Sequence, residues 1–166
     1  MKEDFTKALI SAWQKATAKE KSGASVFLKR FSRHLPAQKV LGKVHEEVFE
    51  DFDCLQCAGC CKNSSPVFTR TDVNRIAGFI RISPGEMEMR YLKADAEGDF
   101  VPLSKPCPFL LENNYCSVYE VRPKSCRGFP HTDQPAAWQR HSVMAGNARA
   151  CPAAWAIVTK FQKGEL

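Results

Sequence analysis

The sequence predicts a mostly α-helical chain with a small β-hairpin and a loop-rich cysteine cluster, held as a single compact, metal-stabilised domain. Three observations point there. Apolar residues recur at helical spacing through the first third of the chain. The eight cysteines all fall at or after Cys54, four of them inside eight residues. Between Cys54 and Cys151, prolines, glycines and short polar runs leave room only for short regular elements.

The first third supplies three helices. Phe5, Leu9, Trp13 and Ala16, with Ile10 beside them, lie on one face until Ser22-Gly23 breaks the pattern. A second helix is expected from Ala24 to Leu35 through Val26, Phe27 and Phe31, stopping near Pro36. A third is expected from about Ala37 to Phe52, with Val40, Leu41, Val44, Val48 and Phe49 on its inner face. Residues 1–53 thus form an N-terminal helical segment without cysteine or catalytic constellation, read as scaffold or as a surface for docking a protein partner. His34 and His45 are expected as ordinary helix residues.

From Asp53 the character changes, and residues 54–166 are read as the cysteine-cluster metal-binding domain. Cys54 to Cys61 reads as a tight loop, and Val67-Phe68-Thr69 as a short strand. Thr71 is the expected N-cap of a helix through Val73, Ile76, Ala77 and Ile80. Ser83-Pro84-Gly85-Glu86 starts another, with proline at its first position and glutamate placed for a capping box, ending near Lys93. Asp95 to Asp99 reads as a turn. Phe109-Leu110-Leu111 and Tyr115 to Val118 flank Glu112-Asn113-Asn114 as a hairpin, with Cys107 and Cys116 at the outer ends of its arms. A helical turn is expected over Val118 to Val121, a loop from Cys126 to His131, and a closing helix from Cys151-Pro152 along Ala153, Trp155, Val158 and Phe161.

Composition narrows the classes. The chain has 166 residues, 44% hydrophobic and 25% charged, the balance of a globular domain. No apolar run approaches the roughly 18 residues that cross a bilayer, so no membrane partner is expected. Met1-Lys2-Glu3-Asp4 opens without an apolar signal core, so a cytoplasmic location is expected. In a reducing compartment dense cysteine is read as metal-binding or catalytic, not as disulfides. The net charge of +6 is spread: ten basic against eight acidic residues up to Asp53, fourteen against ten after it. Interleaved charge of this kind is a solvated surface, and nucleic acid is not an expected partner. The chain has no G-x-S-x-G, Walker loop, H-E-x-x-H or G-x-G-x-x-G, so no catalytic residue is assigned.

Thiolate is the soft ligand of zinc and of iron–sulfur clusters, which take four ligands per metal or cluster unit. The candidate ligands are Cys54, Cys57, Cys60, Cys61, Cys107, Cys116, Cys126 and Cys151. Two C-x2-C spacings overlap in C-x2-C-x2-C-C, and each places two sulfurs on one side of a loop. In extended backbone the neighbours Cys60 and Cys61 point apart, so they serve two sites, or one stays out of coordination. Two sets of four and one cluster with spare cysteines both satisfy the count. The triple C-x2-C with Cys107 and Cys151 before proline leans toward iron over zinc, although the fourth cysteine is not at ferredoxin spacing. His131 and His141 are read as surface or hydrogen-bonded residues. Arg122, Lys124 and Arg127 surround Cys126, to compensate thiolate charge, to contact an anion, or as a solvated loop.

These residues together resemble the YkgJ-like cysteine-cluster family, known as a zinc- or iron-chelating domain. The resemblance is carried by Cys54, Cys57, Cys60 and Cys61, then Pro106-Cys107-Pro108-Phe109-Leu110, Cys116-Ser117-Val118-Tyr119, Arg122-Pro123 and Cys126-Arg127-Gly128-Phe129-Pro130. It implies cysteine ligation of zinc or iron, with some members described as iron–sulfur oxidoreductases. A similar module occurs in flagellin lysine methylases, but this chain lacks room for their methyltransferase domain, so that activity is not carried over. The expected function is a thiolate-ligated zinc or iron centre in a structural, sensing or carrier role. The alternative is an iron–sulfur redox protein or oxidoreductase.

Overall fold

The computed structural model describes residues 2–18, 20–21, 36–134, 137 and 140–163. The helix expected over Ala24 to Leu35, with His34, lies outside the described residues. The chain is mostly helical with one two-stranded antiparallel hairpin among the described residues. It divides into two compact units, Met1–Cys57 with Pro130–Leu166, and Ala58–Phe129. Among the described residues, no helix is long and apolar enough to cross a membrane.

The first unit is a helical bundle of α1 (Lys2–Lys15), α2 (Pro36–Asp51), α7 (His141–Ala150) and α8 (Pro152–Lys163), with α8 packed against the other three. Leu41, Val44, Val48 and Phe52 are buried, as α2's periodicity requires. On α8 the buried face is Ala153, Ala154, Ala156, Ile157, Val158 and Phe161. The face expected on α1 differs: Phe5 stays 38% exposed, and Thr6 is fully buried. The Thr6 hydroxyl donates to the Asp51 carbonyl at 3.3 Å and accepts from the Asp53 amide at 2.9 Å. It thereby satisfies backbone groups at the end of α2 that the helix itself leaves unpaired. Trp13 Nε1 donates to the Ala148 carbonyl at 3.0 Å, fixing α1 on α7. No pattern announced α7, because its buried positions include Ala145 and Ala148 beside Met144, and alanine gives little apolar contrast.

The second unit begins with the short α3 (Gly59–Asn63), followed by α4 (Arg70–Ile80) and α5 (Pro84–Tyr91). Val73, Ile76 and Ala77 of α4 and Met87 of α5 bury against Phe68, Leu92, Phe109 and Val118. The N-cap of α4 is Thr69, not Thr71: its hydroxyl and the Asp72 carboxylate form a complete capping box. Ser83 caps α5, accepting from the Glu86 amide at 3.2 Å with Pro84 at the first turn. The Glu86 carboxylate pairs with Arg90 at 3.0 Å instead of completing the expected capping box, and the helix ends at Tyr91.

The hairpin stands one segment earlier than the sequence suggests. Strands β1 (Leu92–Ala94) and β2 (Phe100–Pro102) pair antiparallel, with Lys93 opposite Val101. The acidic turn joins them: Asp95 Oδ1 accepts the Glu97 and Asp99 amides, and Gly98 takes a φ of +85°. The arms expected at Phe109–Leu111 and Tyr115–Val118 make only the isolated bridge Leu110–Cys116, because the chain at Cys107 and beyond Cys116 turns within itself. Val67–Thr69 likewise makes one bridge, Phe68 to Phe100. A 3-10 turn spans Tyr119–Val121, and the loop expected from Cys126 to His131 instead starts inside a helical turn, α6 (Lys124–Arg127).

In the first unit, His45 Nδ1 lies 2.7 Å from the Thr132 hydroxyl, and its ring packs tilted against Phe49, 4.6 Å between centroids. Burial pushes the imidazole below its usual pKa, against the pull of Asp133 and Glu46. An unfolded histidine titrating near 6.5 takes up a proton that the folded one refuses, so stability falls as pH descends through about 6.5. His45→Gln is expected to flatten denaturation midpoints measured between about pH 7 and pH 5. A dependence as steep as that of the unmodified protein contradicts this role.

Candidate metal centre

The cysteines reach the fold by different local devices. Asp53 caps the 3-10 turn Cys54–Gln56 by accepting the Leu55 amide at 2.9 Å, and the Cys57 amide closes on the Cys54 carbonyl at 3.1 Å. Residues three apart eclipse on such a turn, so Cys54 and Cys57 share a side. Cys54 is exposed and Cys57 half-buried. Cys151 ends α7 before Pro152 and is buried, its sulfur 3.5 Å from the Ala154 amide that donates to it. Burial pushes Cys151 up to about 12; the Ala154 amide opposes this, and the nearby Cys54 and Cys57 add to it. These three thiols are neighbours within the first unit.

In the second unit, Ala58 adopts the left-handed conformation (φ 48°) ahead of α3. Asn63 Nδ2 donates to the Gly59 carbonyl at 2.8 Å and Ser64 Oγ to the Cys60 carbonyl at 2.6 Å, closing the turn. Cys60 and Cys61 therefore sit on a helical turn and not on the extended backbone expected of them. Successive side chains there diverge by about 100°. Their sulfurs are 3.9 Å apart.

Cys107 is bound to this turn by its backbone: its amide donates to the Cys61 carbonyl at 2.9 Å. The Leu110 amide returns to the Cys107 carbonyl, and the Tyr119 amide to that of Cys116. Cys126 rides on α6, whose first turn closes through its own amide on the Pro123 carbonyl at 3.0 Å. Ser125 Oγ ties this turn to the Val67 carbonyl at 2.8 Å.

The electrostatics group these thiols. Burial pushes Cys107 up to about 11, against the Phe109 amide, with Cys61 and Cys116 raising it further. Burial likewise raises Cys116, which the Val118 amide opposes and Cys61 reinforces. Cys126 is driven to about 12 by burial, then by Cys61, Cys107 and Cys116. Cys61 alone moves down, to about 7, because the Cys60 thiol hydrogen-bonds to it against the cost of burial. Cys61, Cys107, Cys116 and Cys126 thus form one mutually sensed group within the second unit. Their sulfurs are neighbours without being drawn in: among the described residues, no three His, Cys, Asp or Glu side chains converge closely enough to hold an ion as they stand.

His131 has a φ of +64°, its Nδ1 is 2.9 Å from Gln134 Nε2, and burial lowers its pKa. Sequence reasoning missed a polar network behind Cys126, built on Asp72 and Arg75. Asp72 was legible only as part of a helix start, since which loop its carboxylate meets is a long-range matter.

Against known proteins, the CxxCxxCC family, described as "Putative zinc- or iron-chelating domain", matches residues 53–152. An uncharacterized protein of Methanocaldococcus jannaschii, MJ0661, is 31% identical over 86 residues, covering 50% of this chain and 46% of its own length. The chain therefore spans less than half of that relative. No solved structure matches the chain.

Exposure and acidity together order thiol reactivity, because the thiolate is the attacking species. In reduced, metal-free protein, alkylation followed by mass spectrometry is expected to label Cys54 and Cys61 first and Cys126 and Cys151 last. Labelling of Cys151 ahead of Cys54 contradicts this arrangement.

Proposed function

The chain belongs to the CxxCxxCC family of zinc- or iron-chelating domains, and from that premise we propose that Cys61, Cys107, Cys116 and Cys126 hold one zinc or iron ion. The observation that carries this reading is the four-thiol group itself. Its members come from four separate short segments and share one half-buried neighbourhood. Four thiolates are the set that tetrahedral zinc or iron takes. Closing around an ion requires these sulfurs to draw together from the positions they hold here. The ion would neutralise thiolates that burial otherwise opposes, and the Phe109 and Val118 amides would donate to the bound sulfurs of Cys107 and Cys116.

Cys54, Cys57 and Cys151 form a second thiol group in the other unit, and Cys60 remains a ligand candidate beside Cys61. The role follows from the local architecture. Between Ala58 and Phe129 the elements are short, and a bound ion contributes folding energy directly where regular structure is scarce. The ion is thus first structural, with sensing or carriage as what its loss or transfer would signal. Phe5, partly exposed on α1, supports docking of a protein partner on the N-terminal helices. Eight cysteines in one chain suit a reducing, cytoplasmic setting, with neither nucleic acid nor a membrane as partner.

Anaerobic purification with metal analysis and a visible spectrum tests the reading. Stoichiometric zinc or mononuclear iron is expected, lost in Cys107→Ser and in Cys126→Ser, whose thermal midpoints fall by several degrees or more. A brown protein carrying labile sulfide and bleached by dithionite would instead establish the iron–sulfur redox alternative. Protein that retains its full metal content in both variants would overturn the four-thiol site.

A further inference from the structure

The loop that delivers Cys126 is held by a part-buried ion pair, Asp72 with Arg75, that nothing in the cysteine pattern requires. Asp72 on α4 is 2% exposed. Its Oδ2 accepts the Thr69 amide at 3.0 Å and the Thr69 hydroxyl at 2.7 Å. Its Oδ1 accepts Arg75 Nη2 at 2.5 Å and, across the fold, the Lys124 amide at 3.2 Å. Arg75 in turn donates from Nε to the Val121 carbonyl at 3.2 Å and from Nη2 to the Arg122 carbonyl at 3.0 Å. Two side chains one helical turn apart therefore grip three backbone groups within four residues, 121 to 124. Lys124 is the first residue of α6, and Cys126 is two residues on.

A pair with its carboxylate buried and its guanidinium partly in water is a weak source of net stability, because desolvation and solvent screening offset most of the attraction. What it provides is direction: a carboxylate and a planar guanidinium fork accept and donate only along fixed lines. Here every one of those lines ends on Thr69, on its partner, or on the backbone that leads into Cys126. We propose that Asp72 and Arg75 are positioning residues for the metal centre, acting as a clamp that sets where the Cys126 sulfur stands relative to Cys61, Cys107 and Cys116. The inference rests on the four-thiol reading above. Outer groups that orient a ligand act on metal sites in this way without touching the ion.

The test uses the full chain loaded with cobalt(II) as a spectroscopic stand-in for zinc. The thiolate-to-cobalt charge-transfer band grows with the number of bound thiolates. At saturating cobalt, Arg75→Gln is expected to lose about a quarter of that intensity, one thiolate of four, and to approach the spectrum of Cys126→Ser. Cys126 should then become open to alkylation in the loaded protein. Arg75→Lys keeps the charge beside Asp72 but not the fork to two carbonyls, and should shift the same way. Val73→Ala removes a fully buried side chain from the same helix and serves as the destabilised control. It should melt earlier yet keep the complete four-thiolate spectrum. Wild-type spectra and protection of Cys126 in both Arg75 variants overturn the clamp, as does an equal spectral loss in Val73→Ala. If Cys126→Ser itself leaves the spectrum unchanged, the four-thiol reading falls and takes the clamp's purpose with it, an outcome distinct from the other two.

Discussion

Sulfur withdrawn from water is the constraint on which the Ala58–Phe129 unit depends. A thiolate is destabilised by burial and by each neighbouring thiolate, and Cys107 and Cys126 feel both effects, reaching about 11 and 12. As neutral thiols, Cys107 and its neighbour Cys116 are small apolar side chains that pack against Phe68, Phe109 and Val118. As a set of anions they require a cation among them. The same packing that makes the metal-free state tolerable makes the charged state dependent on an ion.

Backbone hydrogen bonds do much of the placing. The Cys107 amide on the Cys61 carbonyl joins two cysteines 46 positions apart without involving either sulfur. The Phe109 and Val118 amides face the sulfurs of Cys107 and Cys116 from two residues downstream, a local turn geometry that Pro106 and Pro108 encourage at Cys107. Cys126 has no such link to the other three. Its position comes from α4 through Asp72 and Arg75 and from Ser125 on Val67, which is why polar side chains gather there.

What the sequence made legible follows from the range of each signal. The helix periodicity of α2, α4 and α8, the Ser83 cap and the Asp95–Asp99 turn are written within a few residues, and they appear where expected. The hairpin was misplaced because Leu92-Lys93-Ala94 continues a good helical pattern, while its pairing partner, Phe100–Pro102, lies beyond a turn. On α1, Thr6 displaced Phe5 from the core because it satisfies backbone at the end of α2, a demand invisible to apolar spacing. The family was readable from the cysteine and proline spacing, and the match over 53–152 agrees with it. Which thiols neighbour one another was not readable, since spacing records only the order of the cysteines along the chain.

The vicinal pair shows how local conformation settles what spacing leaves open. Had Cys60 and Cys61 been extended, their sulfurs would point to opposite sides. On the helical turn of α3 they stay within 3.9 Å, and Cys60 then acts on Cys61 as a hydrogen-bond donor, holding it near 7 while its three neighbours rise. The pair therefore turns both sulfurs toward one neighbourhood, a placement set by the α3 turn and not by the spacing of the cysteines.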